Sequence, residues 1–337
     1  MNDPDATVRL APRPGVGGGG PAAATRRPRR NGPLIAGLAA LLVAGGGAGL
    51  VTLLWLGTSF PPAPPAKPEA PVLARPAPVL APSPPATQTG LRLPLLASEE
   101  EILAHRATAP TLFRLAENPR VFVVDFPDLD SQGATFNRAA ALIEKAGQPR
   151  DRVLDDAELA AAIARSGDTA ATYYYGHNYR GSDLERLFAL ADRDGVALNE
   201  QERWLRGELA RIRAALPSGE DYAVVSVPGI EPRVDAAMRR AILHHEIGHG
   251  HFFTNPAFAR HVAEVWHDVF TERERARFRA FLEREGYDPS NEEVMMNEAM
   301  AYLLFTPDPR FFTPAHAGLD DARAGELRAA LRARAPR

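Results

Sequence analysis

The first ninety or so residues show no amphipathic period. They contain one unbroken apolar run and then a proline-rich stretch, and only after Pro94 do hydrophobic and polar positions alternate as they do in a folded domain. From there, apolar residues recur at helical spacing near 98–118, 132–147, 155–166, 182–215, 233–250, 256–286, 290–305 and 318–333. Three short runs rich in β-branched and aromatic residues predict strands: Arg120–Phe126, Ala170–Tyr175 and Tyr222–Val227. The pattern therefore predicts an α+β, helix-dominated domain, without internal repeats.

The apolar run, Leu34 to Leu56, is 23 residues without a charge, close to the roughly 20 that span a bilayer core as a helix. Arg26, Arg27, Arg29 and Arg30 precede it, whereas Lys67 and Arg75 are the only basic residues in the next 20 or so. Positive charge on the near side predicts a single-pass anchor with its N-terminus in the cytoplasm and the rest outside the cytoplasmic membrane, in the periplasm of a Gram-negative cell. From Pro61 to Pro94, 12 of 34 residues are proline, which favours an extended spacer over a core. The expected organisation is a basic cytoplasmic tail (1–32), an anchor (33–57), a proline-rich linker (58–94), an N-terminal subdomain (95–230) and a second subdomain carrying the chemistry (231–337).

Composition narrows the chemistry. The tail holds six arginines against two aspartates, a local charge of +4, so the overall −3 leaves −7 for everything that follows. An acidic body without a basic stripe gives no nucleic-acid footprint. The chain has no cysteine, which excludes disulfides, thiolate ligands and a cysteine nucleophile. Any metal must be held by histidine and carboxylate.

Such a set is present. His244-His245-Glu246-Ile247-Gly248-His249 contains the pattern HExxH, which places His245 and His249 one helical turn apart on the face continued by Val234, Met238 and Ile242. Chance would produce the pattern about 0.02 times in a chain of this composition. Two imidazoles on a buried stripe need partners, and one zinc ion satisfies both. His244 points elsewhere, and Gly250 is placed to end the helix before His251. Further on, Ser290 and Glu293 form a capping box for a helix whose apolar face (Val294, Met295, Ala301, Tyr302, Phe305) includes Glu298. A carboxylate on that stripe needs a cation or an arginine partner.

HEIGH resembles the zincin metallopeptidase motif. The extended metzincin form would need glycine and histidine where Phe252 and Asn255 stand, so that branch is excluded. Asn297-Glu298-Ala299-Met300-Ala301-Tyr302 is similar to the N-E-x-x-A-Y run that supplies the third ligand in gluzincins. The resemblance covers about 58 residues, from His245 to Tyr302, and implies a zincin-like fold, Zn2+ on His245, His249 and Glu298, and a peptide or protein substrate.

In this reading Glu246, beside a ligand but directed away from the metal, is the general base. Tyr302, one turn after Glu298, either hydrogen-bonds the oxyanion or packs as a core tyrosine. His177, in the cluster Tyr173-Tyr174-Tyr175-Gly176-His177-Asn178, is a reserve candidate for oxyanion stabilisation or substrate contact. The strand Tyr222–Val227, ending shortly before the zinc helix, corresponds by resemblance to the substrate-pairing edge strand of zincins. The competing expectation is a membrane-anchored scaffold with a purely structural zinc. Glu246 beside only three ligands favours the enzyme, because structural zinc usually takes four protein ligands.

Overall fold

Alternation along two strands sets the architecture of the computed structural model, which describes residues 94–336. Strand β3 (Val121–Asp125) sends Val121 and Val123 to one face and Phe122 and Val124 to the other; β5 (Ala223–Val227) does the same with Ala223, Val225 and Val227 against Val224. Both strands are buried throughout, as expected of central strands covered on two sides. They pair in parallel, Val121 opposite Ala223. The mixed sheet is completed by β1 (Leu96–Ala97), β2 (Thr111–Leu115) and β4 (His177–Arg180), in the order β1-β2-β3-β5-β4. β1 pairs with β2 in parallel, while β2 with β3 and β4 with β5 are antiparallel.

One face is covered by α2 (Leu129–Ile143), α4 (Gly181–Asp194) and α5 (Glu200–Ala215), whose Phe136, Leu187 and Leu209 pack on Phe122 and Val224. The other face is covered by α6 (Ala236–Thr254), through Ile242, Leu243 and Ile247. Behind α6 lie α7 (Pro256–Glu264), α8 (Glu272–Arg284), α9 (Glu292–Phe305) and α10 (Asp321–Arg332). Short helices α1 (Glu99–Ala104) and α3 (Asp156–Arg165) sit at the periphery. The buried Arg239 of α6 bonds Asp125 of β3 at 2.8 Å and the carbonyls of Ile102 and Pro228, which ties the helix to the sheet.

Several expectations need correction. The stretch 98–118 is not one helix but α1, a loop and β2. Ala170–Tyr175 is a chain of turns; its carbonyls are satisfied by side chains, Asn137 on Ala170, Lys145 on Tyr173 and Gln132 on Tyr175, so its aromatic content reflects burial and not a ladder. The stretch 182–215 breaks into α4 and α5 where Gly195 takes a left-handed cap (φ 67°). The stretch 256–286 breaks at a π-helical turn, Val265–Val269. Gly250 does not end α6. A Cβ there would lie 2.8 Å from Val121 Cγ1, and one at Gly248 would lie 2.6 Å from Phe305 Cδ2; the two glycines let α6 approach β3 and α9. His251 consequently stays in the helix, buried and beside Asn118. The cap of α9 is Asn291, which accepts from Val294 N, whereas Ser290 bonds Asp288 and Glu293 pairs with Arg180. The strand Tyr222–Val227 is central, not an edge; the edge on that side is β4.

The apolar run Leu34–Leu56 and the proline-rich stretch lie outside the described residues. Among those described, no helix is long and apolar enough to cross a membrane.

Candidate metal centre

The close approach of α6 and α9 brings three side chains together. His245 and His249 place their Nε2 atoms 3.0 Å apart. Glu298 enters from α9 with one oxygen 3.5 Å from His245 Nε2 and the other 3.5 Å from His249 Nε2. All three side chains are at most 2% exposed, and among the described residues this is the group of histidines and carboxylates with metal-binding spacing.

The edges of this triangle, 3.0, 3.5 and 3.5 Å, can be compared with a tetrahedral ion. At 2.0–2.1 Å from its ligands, such an ion would hold two of them about 3.3 Å apart. The donor atoms already stand close to that spacing.

The protonation pattern also suits a cation. Thr306, the residue capping α9, donates its hydroxyl hydrogen to the Ala301 carbonyl at 3.1 Å. Its oxygen must therefore accept from His245 Nδ1–H, 2.8 Å away. This fixes the tautomer of His245 and leaves the lone pair of Nε2 directed into the triangle. Burial lowers the pKa of His245 to about 3, with His244 adding to the effect, and that of His249 to about 4, where Glu298 opposes the shift. Both rings are thus neutral and able to donate a lone pair near pH 7. Burial raises the Glu298 pKa, against His249 and the Tyr287 hydroxyl, and Glu298 Oε2 has no hydrogen-bond partner. A buried carboxylate with an orphaned oxygen and two neutral imidazoles lacks one thing, a cation at their centre. The residues fit a divalent metal.

Glu246 lies on the same helix with its carboxylate turned toward the sheet. Asn178 of β4 donates to its Oε2 at 2.9 Å, and Gly176 packs against its side chain. Burial raises its pKa well above the usual carboxylate range, Asn178 opposes this, and Glu298 and Glu144 add to it. A cation held by His245, His249 and Glu298 would oppose that rise and favour the ionised form that a general base needs.

The other two candidates lie differently. Tyr302 is 1% exposed, its ring edge-on to His245 at 4.9 Å and packed on Phe281 and Phe312; it is a core tyrosine packed against His245. His177 lies on the opposite face of the sheet from α6. It packs on Phe136 and bonds Tyr179 OH at 2.9 Å, and burial and Lys145 bring its pKa to about 3. The residue of that cluster that reaches the centre is Asn178, one position later on β4, where the side chain must face the other way. Sequence reasoning also missed Thr306 and Tyr287, since nothing local to either signals a partner on a distant helix.

A cleft of about 250 Å³ leads to the centre, with Glu298 and Asn178 at its inner end and Arg180, Asp183 and Glu293 among its walls. Comparison with protein-family models, characterised proteins and solved structures gives no match for this chain.

Proposed function

We propose that the chain is a zinc-dependent hydrolase of zincin-like build that cuts peptide bonds, anchored to the cytoplasmic membrane by Leu34–Leu56 with its folded domain outside. One observation carries the reading: two neutral histidines, of which His245 has its tautomer fixed by Thr306, and an orphaned carboxylate converge in a buried centre, with a further buried carboxylate, Glu246, on the same helix. Three ligands leave a coordination position open, which suits turnover better than a structural site. His245, His249 and Glu298 would hold the ion, which when bound supplies Lewis acidity toward a carbonyl and acidifies water.

The chain's own residues do the rest. Glu246 takes the proton of the attacking water and returns it to the leaving amine, and its burial suits it to hold that proton between the two steps. Asn178 keeps the carboxylate oriented. A substrate running along β4 would gain main-chain hydrogen bonds from this edge strand, whose Asn178 and Arg180 border the cleft.

The test joins composition to turnover. Purified protein should carry about one zinc per chain, and Glu246→Gln should keep it while hydrolysis of a peptide library falls by roughly 10²- to 10⁴-fold. Wild type without zinc-dependent cleavage would return the scaffold as the better description, and loss of metal from Glu246→Gln would remove that residue from the role of base.

A further inference from the structure

The charged groups around the cleft do not balance once those with partners are set aside. Arg150 spends its donors on the carbonyls of Ala141 and Lys145 and on Asp288. Arg180 pairs with Glu293 and lies over the ring of Phe253. Arg186 reaches the carbonyl of Arg150 at 2.9 Å. Two carboxylates on the lining, Glu144 and Asp183, have no ion-pair partner within 4 Å among the described residues. Glu144 is only 6% exposed. It follows the last turn of α2 and is pinned by its backbone, whose carbonyl accepts from Asp288 N at 3.0 Å while Lys145 bridges to Tyr287. Burial and Glu298 push this carboxyl well above the usual carboxylate range, against Lys145 and Arg150, and a cation entering the cleft would favour its ionised form.

We propose that the cleft binds a cationic group of the substrate, an ammonium or guanidinium next to the bond that is cut, with Glu144 as its counter-ion and the more exposed Asp183 at its entrance. The inference rests on the peptidase reading for the word substrate, but the cation site is defined by the cleft alone. Its volume, about 250 Å³, falls below the roughly 300–1,000 Å³ of pockets for drug-sized ligands and suits a single side chain. The inner wall carries Glu298 and Asn178, so a chain presenting its amide to the histidines would direct the neighbouring residue here. The same chemistry could come from a lysine or arginine side chain or from the free α-amine of a peptide.

The experiment uses the full chain in detergent and three probes titrated calorimetrically: Nα-acetyl-lysine methylamide, its norleucine counterpart, and norleucine methylamide with a free amine. The acetylated lysine probe should bind at least 10-fold more tightly than acetylated norleucine. Glu144→Gln should weaken it by about 10- to 100-fold, the scale of a hydrogen bond to a charged group, with a far smaller shift for the neutral probe. Asp183→Asn should weaken it less, and thermal melts confirm that both variants fold. If the free-amine probe is the one that depends on Glu144, the group recognised is the substrate's N-terminus. Equal affinity for the acetylated lysine and norleucine probes with no gain from a free amine, no detectable binding, or a charge preference that survives Glu144→Gln would overturn the proposal. The same proteins are then given a peptide library. Cleavage without regard to basic residues or a free N-terminus sinks this inference and spares the peptidase, whereas Glu144-dependent binding with no cleavage keeps the cation site and sinks the peptidase.

Discussion

Replacing Thr306 by valine keeps the shape of the side chain and deletes one hydroxyl, and the consequence falls on a residue 61 positions away in sequence. In the native arrangement Thr306 accepts from His245 Nδ1–H, so Nε2 is free to donate. In Thr306→Val without metal, the proton can move to Nε2, where His249 Nε2 at 3.0 Å or Glu298 at 3.5 Å accepts it. Binding a metal then requires the proton to return to Nδ1, buried and without a partner. An orphaned buried donor costs about 1–3 kcal/mol, and here that penalty applies almost wholly to the metal-bound state. Zinc affinity should fall by about 10- to 100-fold, the range seen when a partner behind a ligating histidine is lost. Competition against a fluorescent zinc chelator at pH 7.5 measures this directly. Thr306→Ser, which restores the hydroxyl, should recover most of the loss, and nitrogen NMR of the metal-free proteins should report Nδ1–H in wild type against Nε2–H in the valine variant. A folded Thr306→Val protein that binds zinc within twofold of wild type would refute the tautomer argument.

Other expected outcomes follow from the same geometry. Glu298→Ala should abolish stoichiometric zinc retention on gel filtration, as should His245→Ala; retention in Glu298→Ala would show that the third donor is another group. His177 titrates at about 3 when folded because it is buried neutral, against about 6.5 unfolded. The unfolded chain therefore binds more protons in between, and the stability from neutral His177 is complete above about pH 6.5 and lost as pH falls toward 3. Melting temperatures across that window should drop less steeply in His177→Phe than in wild type.

The convergence of His245, His249 and Glu298 could be read from the sequence because each side chain sits on a buried helical stripe, and position on a stripe depends only on spacing. The rest of the centre depends on register. Placing a strand over Ala170–Tyr175 put His177 just beyond it as the candidate for the site, yet the strand begins at His177 and alternation sends that ring to the far face and Asn178 to Glu246. An error of one residue exchanges the faces of a strand. Gly250 was misread for a related reason. Locally a glycine after a helical run marks an end, but here the glycine is needed because α6 and β3, over a hundred residues apart in sequence, come into close contact. β1 and β2 were missed because the first has two residues and the second is only partly buried over most of its length, so neither has the continuous apolar signal of β3 and β5.

Gly176→Ala tests whether Glu246 acts from the position it occupies. A Cβ at 176 would lie 2.8 Å from Glu246 Cδ and 3.0 Å from its Cγ, inside any tolerable contact, so either the loop or the carboxylate must move. The loop is tied on one side by Gln132 to the Tyr175 carbonyl and on the other by the pairing of His177 with Ser226. The glutamate is free to turn about three side-chain torsions. The carboxylate should therefore swing away and lose the hydrogen bond from Asn178, at small cost to the fold. His245, His249 and Glu298, held by Thr306 and by the packing of α9, should not shift. Zinc content and melting temperature should stay near wild type while kcat falls by about 100-fold or more, the lower range of a general-base contribution. Asn178→Ala, which removes the same hydrogen bond without crowding, should lower kcat by a smaller factor in the same direction. A Gly176→Ala protein with undiminished kcat would mean that the proton is taken by Glu246 from some other rotamer or by another group, and the buried carboxylate beside Asn178 would then be structural.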